Sequence, residues 1–204
     1  MSRAEPTPQP RAPVRRADAE LNRVRILDAA RAALAISGEA TMQSIARSAG
    51  IGQGTIYRHF PTRESLVLAV HRNDVAELVA AAPSLLAEHP PLIALRLWFD
   101  KLAEYGRIKQ GLAGALHSVM RQQLSDEGYD STTGAIALLL DAGKATGQIR
   151  SDIDEEEVLL LVGFLWRINN DADREARSRH LLDLVMDSIR TVGSAGQAQE
   201  NVSG

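Results

Sequence analysis

The sequence predicts an all-α protein in two parts: an N-terminal domain of three helices and a larger helical C-terminal domain, about nine helices in all. Three observations lead there. Ala and Leu dominate the apolar residues, while β-branched and aromatic residues are sparse, so intrinsic preference favours helix. Apolar residues recur three and four apart, and no strand-length stretch alternates with a period of two. Gly and Pro punctuate the chain between helix-length segments.

Residues 1–17 hold four prolines and the arginines Arg3, Arg11, Arg15 and Arg16. Proline at this density opposes a helix. The segment reads as a disordered basic arm, either a free tail or an arm that meets a DNA groove. The first helix is expected over 18–37, with Leu21, Val24, Leu27, Ala30 and Leu34 forming its apolar stripe and Gly38 ending it. Thr41 caps a short second helix in which Met42, Ile45 and Ala49 face inward. Gly50 stops it, in the left-handed conformation that most residues resist. A third helix runs from Gln53 to Phe60, before Pro61. Two helices of about eight residues flanking the turn Gly50-Ile51-Gly52 have the spacing of a helix-turn-helix, so 18–62 reads as a DNA-binding domain.

A fourth helix is capped by Thr62, carries Glu64 in its first turn and ends at Ala82, before Pro83. Further helices are expected near 91–106, 111–124, 131–146, 154–169 and 174–191, separated in part by Gly106, Gly111, Gly128 and Gly147. Asp154 and Glu157 have the spacing of a capping box. Residues 63–192 are thus expected to form a second, larger helical domain, and 193–204 a disordered polar tail.

The formal net charge is −3, but it is unevenly spread. Residues 1–63 carry +5, from ten Arg against five acids; the remainder carries −8. A basic head on an acidic body is expected when one end alone meets phosphate. Absence of cysteine excludes disulfides and thiolate chemistry. The longest apolar runs fall well below the ~18 residues that span a bilayer. The N-terminus lacks the apolar core of a secretory signal, so a cytoplasmic location is expected. The five histidines lack the spacing of a metal site, no paired-carboxylate or nucleophile motif is present, and no cofactor or enzymatic activity is expected.

The stretch from Thr41 to Arg63, with Gly50, Thr55-Ile56-Tyr57, His59-Phe60 and Thr62-Arg63-Glu64 in register, resembles the TetR family of bacterial regulators, and the match runs from about Arg23 to Leu68. Gln53 opens the recognition helix and suits a base edge; Gln can be bidentate to adenine. Thr55, Tyr57 and His59 offer hydroxyl or imidazole groups to phosphate oxygens. Tyr57 also fits as packing and His59 as a cap. Arg58 suits guanine or phosphate. Thr41 and Gly54 complete the surface, and Gln43 is either a base reader, as in some family members, or a solvated residue. Arg63 stands where the family often has a phosphate-binding lysine.

The resemblance implies a double-stranded, palindromic operator for the head and, for residues 63–192, a ligand-binding and dimerisation domain with a small-molecule effector of unknown identity and a homodimer. Candidate pocket residues are Trp98, Phe99, Leu102, Tyr105, His117, Met120, Arg121, Leu139, Phe164 and Trp166, which equally suit an ordinary core. His117 and Arg121, at i,i+4, share a helical face that suits either an anion or an ordinary solvated or packed pair. In the family the last two long helices pair between subunits. Val158, Leu161, Val162 and Leu165 give one stripe, and Leu181, Leu182, Val185 and Ile189 another. Both stripes equally suit burial within one chain. A ligand-responsive repressor is the leading reading. A ligand-independent regulator or activator is the alternative, and a helical carrier or enzyme the remote one.

Overall fold

The computed structural model describes residues 12–36, 40–113, 118–169 and 171–191. Among these residues the chain forms eight α-helices and one 3-10 helix: α1 (Ala12–Ile36), α2 (Met42–Ser48), α3 (Gln53–His59), α4 (Arg63–Glu88), α5 (Pro91–Ala113), α6 (Ser118–Ala145), α7 (Glu155–Leu161), the 3-10 helix (Val162–Trp166) and α8 (Arg174–Ile189).

Two apolar cores result. In the head, Ile26, Leu27, Ala30 and Leu34 of α1 pack with Met42, Ile45 and Ala46 of α2, with Ile56 and Phe60, and with Leu66, Val67 and Val70 of α4. The body core joins Leu78 and Ala82 of α4 to Ala94, Leu95, Trp98, Phe99, Leu102 and Tyr105 of α5, and to the inner faces of α6, α7 and α8. Helix α4 contributes to both, so one continuous rod connects the domains.

Several helix ends differ from expectation. Helix α1 begins at Ala12 rather than 18, because Pro13 falls in its first turn, where a missing N–H costs nothing. Residues 1–11, most of the expected arm, and Gly38 lie outside the described residues. Leu27, Ala30 and Leu34 of the expected α1 stripe are buried, joined by Ile26, while Leu21 and Val24 nearer the N-terminus are about half exposed. Helix α4 continues through Pro83 instead of ending at Ala82. Proline removes one main-chain donor there, but burial of Leu78 and Ala82 on α5 and α6 holds the helix together. Nearby carbonyls accept from side chains: Leu78 O from the Trp98 indole N–H at 2.8 Å, and Ala80 O from Ser84 Oγ at 3.1 Å.

Gly106 is a packing residue where a helix stop was expected. Gly106 lies inside α5, and a Cβ there would come within 2.8 Å of the Trp166 ring. Gly111 lies inside α5 and Gly128 inside α6, so the expected helices at 111–124 and 131–146 are not separate units. Gly147 does end a helix, with φ +70° after α6. There the chain is clasped to the end of α8: Arg150 N–H donates to Ile189 O, Thr191 N–H to Gln148 O and Thr191 Oγ to Gly147 O. Asp154 and Glu157 form the expected capping box, but the helix tightens to 3-10 at Val162.

Candidate nucleic-acid interface

The two short helices of the head are held by local bonds. Thr41 Oγ accepts from the Ser44 N–H at 3.2 Å, and Ser44 Oγ accepts from the Thr41 N–H at 3.1 Å, satisfying two donors at the α2 N-terminus. Gly50 then turns the chain at φ +67°, a conformation strained for any residue with a Cβ. The Ile51 N–H returns to Ala46 O at 3.0 Å, and Gly52 starts α3. Ile56 and Phe60 anchor α3 from below, and Arg23 lies 5.0 Å over the Phe60 ring.

This scaffold turns the polar residues outward. Thr41, Gln43, Gln53, Gly54, Tyr57 and Arg58 are exposed, while Thr55 and His59 are half-buried. Tyr57 shows 46% of its surface, so it is not a packing residue within this chain. Arg58 Nε donates to Gly54 O at 3.1 Å, folding the guanidinium back along its helix. Arg63 is engaged differently from a free phosphate binder: its Nε donates to Ala40 O at 3.0 Å and ties the start of α4 to the residue before the α2 cap. Arg47, exposed one turn beyond Gln43 on α2, belongs to the same polar surface and was missed. Its i,i+4 spacing from Gln43 was the available signal.

In the body, Trp98, Phe99, Leu102 and Leu139 are fully buried and Tyr105 nearly so, which makes them core residues rather than walls of an open cavity. Phe164 and Trp166 pack half-buried against that core, with Trp166 edge-on to Tyr105 at 5.7 Å. Lys109 lies 5.3 Å over the Trp166 ring, and burial pushes its ammonium pKa down. Helical periodicity marks which face is buried, not whether opposing helices leave space. Open grooves lie elsewhere. One between α4 and α6 is lined by His71, Arg72, Val75, Ala76, Val79 and Ser131; another between α5 and α8 includes Glu104, Arg107, Arg174 and Ser178. His117 and the side chains of Met120 and Arg121 lie outside the described residues.

The expected dimer stripes are also largely internal. Val158, Val162, Leu165, Leu182, Val185 and Ile189 are buried in the chain's own core. Leu181 is half-buried and Leu161 exposed. The apolar surface that α7 and α8 present outward consists of Leu161 from the expected stripe together with Leu160 and Leu184, of which Leu160 is 80% exposed. Among the described residues no group of side chains could hold a metal ion, and no helix is long and apolar enough to cross a membrane.

Comparison with known proteins agrees with this architecture. Residues 26–70 match the model for bacterial regulatory proteins of the tetR family, and residues 90–191 match the transcriptional regulator SbtR-like C-terminal domain. The crystal structure of the TetR transcriptional regulator SCO0520 from Streptomyces coelicolor is 38% identical, with a TM-score of 0.76 over 83% of this chain and 99% of that one. The TetR transcription regulatory protein from Mycobacterium vanbaalenii is 30% identical, with a TM-score of 0.71 over 86% and 99%. The HTH-type transcriptional repressor Rv1474c of Mycobacterium tuberculosis is 29% identical over 174 residues, 82% of this chain and 92% of that protein.

Proposed function

This chain belongs to the TetR family of bacterial transcriptional regulators, DNA-binding and non-enzymatic, and from that premise we propose that it is a repressor whose grip on a palindromic operator is set by a small molecule. The observation that carries the reading is the continuity of α4, whose first half packs in the head and whose second half packs in the body. Any rearrangement of the body core is thereby transmitted to the recognition helix α3.

Gln53 and Gln43 read base edges, Tyr57, Thr55, His59 and Arg58 hold phosphates, and Arg63 positions α2 through Ala40. Two copies pair through the outward leucines Leu160, Leu161 and Leu184, so that their α3 helices meet successive major grooves ~34–36 Å apart. An effector that favours one head spacing by ~1–3 kcal/mol shifts operator affinity roughly 5–150-fold. The repressor name of the mycobacterial relative supports the sign.

Selection of duplexes from a random pool by the full chain, followed by a salt-controlled titration, tests the DNA half of the reading. Paired, symmetric half-sites are expected; retention of all sequences alike would overturn it. A thermal-shift screen of metabolites tests the effector half. No stabilising compound would favour the ligand-independent regulator.

A further inference from the structure

Between its two apolar cores the protein has a polar seam. On α4, Leu66, Val67 and Val70 belong to the head core and Leu78 and Ala82 to the body core. His71 and Asp74 lie between them, each only 3% exposed. Arg31 of α1 reaches this seam from the head. Its Nε is 3.2 Å from Asp74 Oδ1, and its two terminal nitrogens are 3.5 Å from Glu77 Oε2 and 3.7 Å from Glu104 Oε1 of α5. One head cation is thus shared by three carboxylates on α4 and α5. The Tyr105 hydroxyl, 3.2 Å from His71 Nδ1, extends the seam to the wall of the α4–α6 groove.

We propose that Arg31 is a positioning residue for DNA binding, which acts through Asp74 to fix the orientation of the head on the body. An apolar contact here would fuse the two cores into one. An ion pair instead holds the head by a distance-dependent force that a small rotation of α4 can weaken.

The seam is poorly explained by stability. Among the described residues neither oxygen of Asp74 accepts a hydrogen bond: Arg31 Nε lies within ion-pair distance of Oδ1 but not in line with it. The charged and titratable groups that act on Asp74, among the described residues, are Arg31 from α1, Glu77 from α4, and Glu104 and Tyr105 from α5; His71, one turn earlier on α4, meets Tyr105. Burial pushes the Asp74 carboxyl up to about 6, with Arg31 lowering it and Glu77 and Glu104 raising it. A carboxyl whose folded pKa lies above its unfolded value binds protons more readily when folded. The ionised form therefore costs stability at neutral pH, and that cost is relieved as pH falls through about 6. A charge kept against the interest of the fold is expected where it serves function.

The proposal rests on the DNA-binding reading, but its first readout needs neither DNA nor effector, so each can fail separately. The chain lacks cysteine, so labels can be placed at exposed Ser48 and Asp141 through S48C and D141C. Labelled protein diluted with unlabelled protein then reports the head-to-body distance within one chain. Asp74→Asn and Arg31→Gln should each broaden that distance distribution and lower affinity for the selected operator about fivefold or more. The double variant should be no worse than either single one. Asp74→Asn should nevertheless raise Tm at pH 7.5, an outcome opposite to that of a structural ion pair. Wild-type affinity, relative to Asp74→Asn, should decline from pH 7.5 to 5.5 as Asp74 takes up a proton. Arg31→Lys should restore part of the affinity. Unchanged distances and affinity in both single variants, additive losses in the double, or a lower Tm for Asp74→Asn would each overturn the proposal.

Discussion

The head and the body of this protein distribute their polar residues in opposite ways. The head has a small apolar core whose short, capped helices leave Gln43, Gln53, Tyr57 and Arg58 facing outward. The body has a larger core built around Trp98 and Phe99, and important polar groups lie inside or at its boundary: His71, Asp74, Thr132 and Arg174. Arg174, for example, donates to Ile168 O at 2.6 Å and Leu165 O at 3.1 Å, closing the carbonyl end of the 3-10 segment. The difference teaches what each part is built to do. A surface that meets DNA keeps its donors exposed on a rigid base, so their removal alters binding without altering the fold. Buried polar groups are tied to packing, so their removal alters stability or coupling.

The largest effects should come from breaking the body. Leu182 is fully buried in its own chain, so Leu182→Asp should cost ~4 kcal/mol or more and give a misfolded body rather than a folded monomer. Leu160→Asp, on the exposed face of α7, should leave circular dichroism and Tm of the monomer intact while shifting the sedimentation profile from dimer toward monomer. A folded Leu182→Asp protein, or an undisturbed Leu160→Asp dimer, would place the interface on the buried stripe or elsewhere.

A middle effect is expected at the head. Gln53→Ala should relax preference at one base position per half-site by ~1–3 kcal/mol, read as a flattened column when selected sequences are compared. Equal loss on all duplexes would make Gln53 a phosphate contact.

The smallest effect sharpens the comparison most. Tyr57→Phe removes one exposed hydroxyl, and should weaken operator binding by ~1 kcal/mol per half-site with no change in Tm. Wild-type affinity in a titration would remove the hydroxyl from the interface; a fall in Tm would mean that the head and body do not differ as described.

Much of the head was legible in the sequence because its signals are local. Thr41, Gly50 and Thr62 set caps and a turn through bonds to residues two to four positions away, and the structure has each of them in place. The all-α class was similarly set by composition and helical period. The sequence alone therefore determined where the short helices start, how they turn and which polar side chains they carry. Only tertiary structure decided the rest. Pro83 stays helical because two neighbouring helices bury its flanks, and Gly106 serves Trp166, sixty residues on, instead of ending a helix. Val158 and Leu182 were legible as apolar, but whether their partner is the same chain or a second copy depends on packing over long sequence separations. Arg31, Asp74 and Glu104 meet for the same reason. Periodicity fixes the face on which a residue lies, and only the folded chain fixes what that face meets.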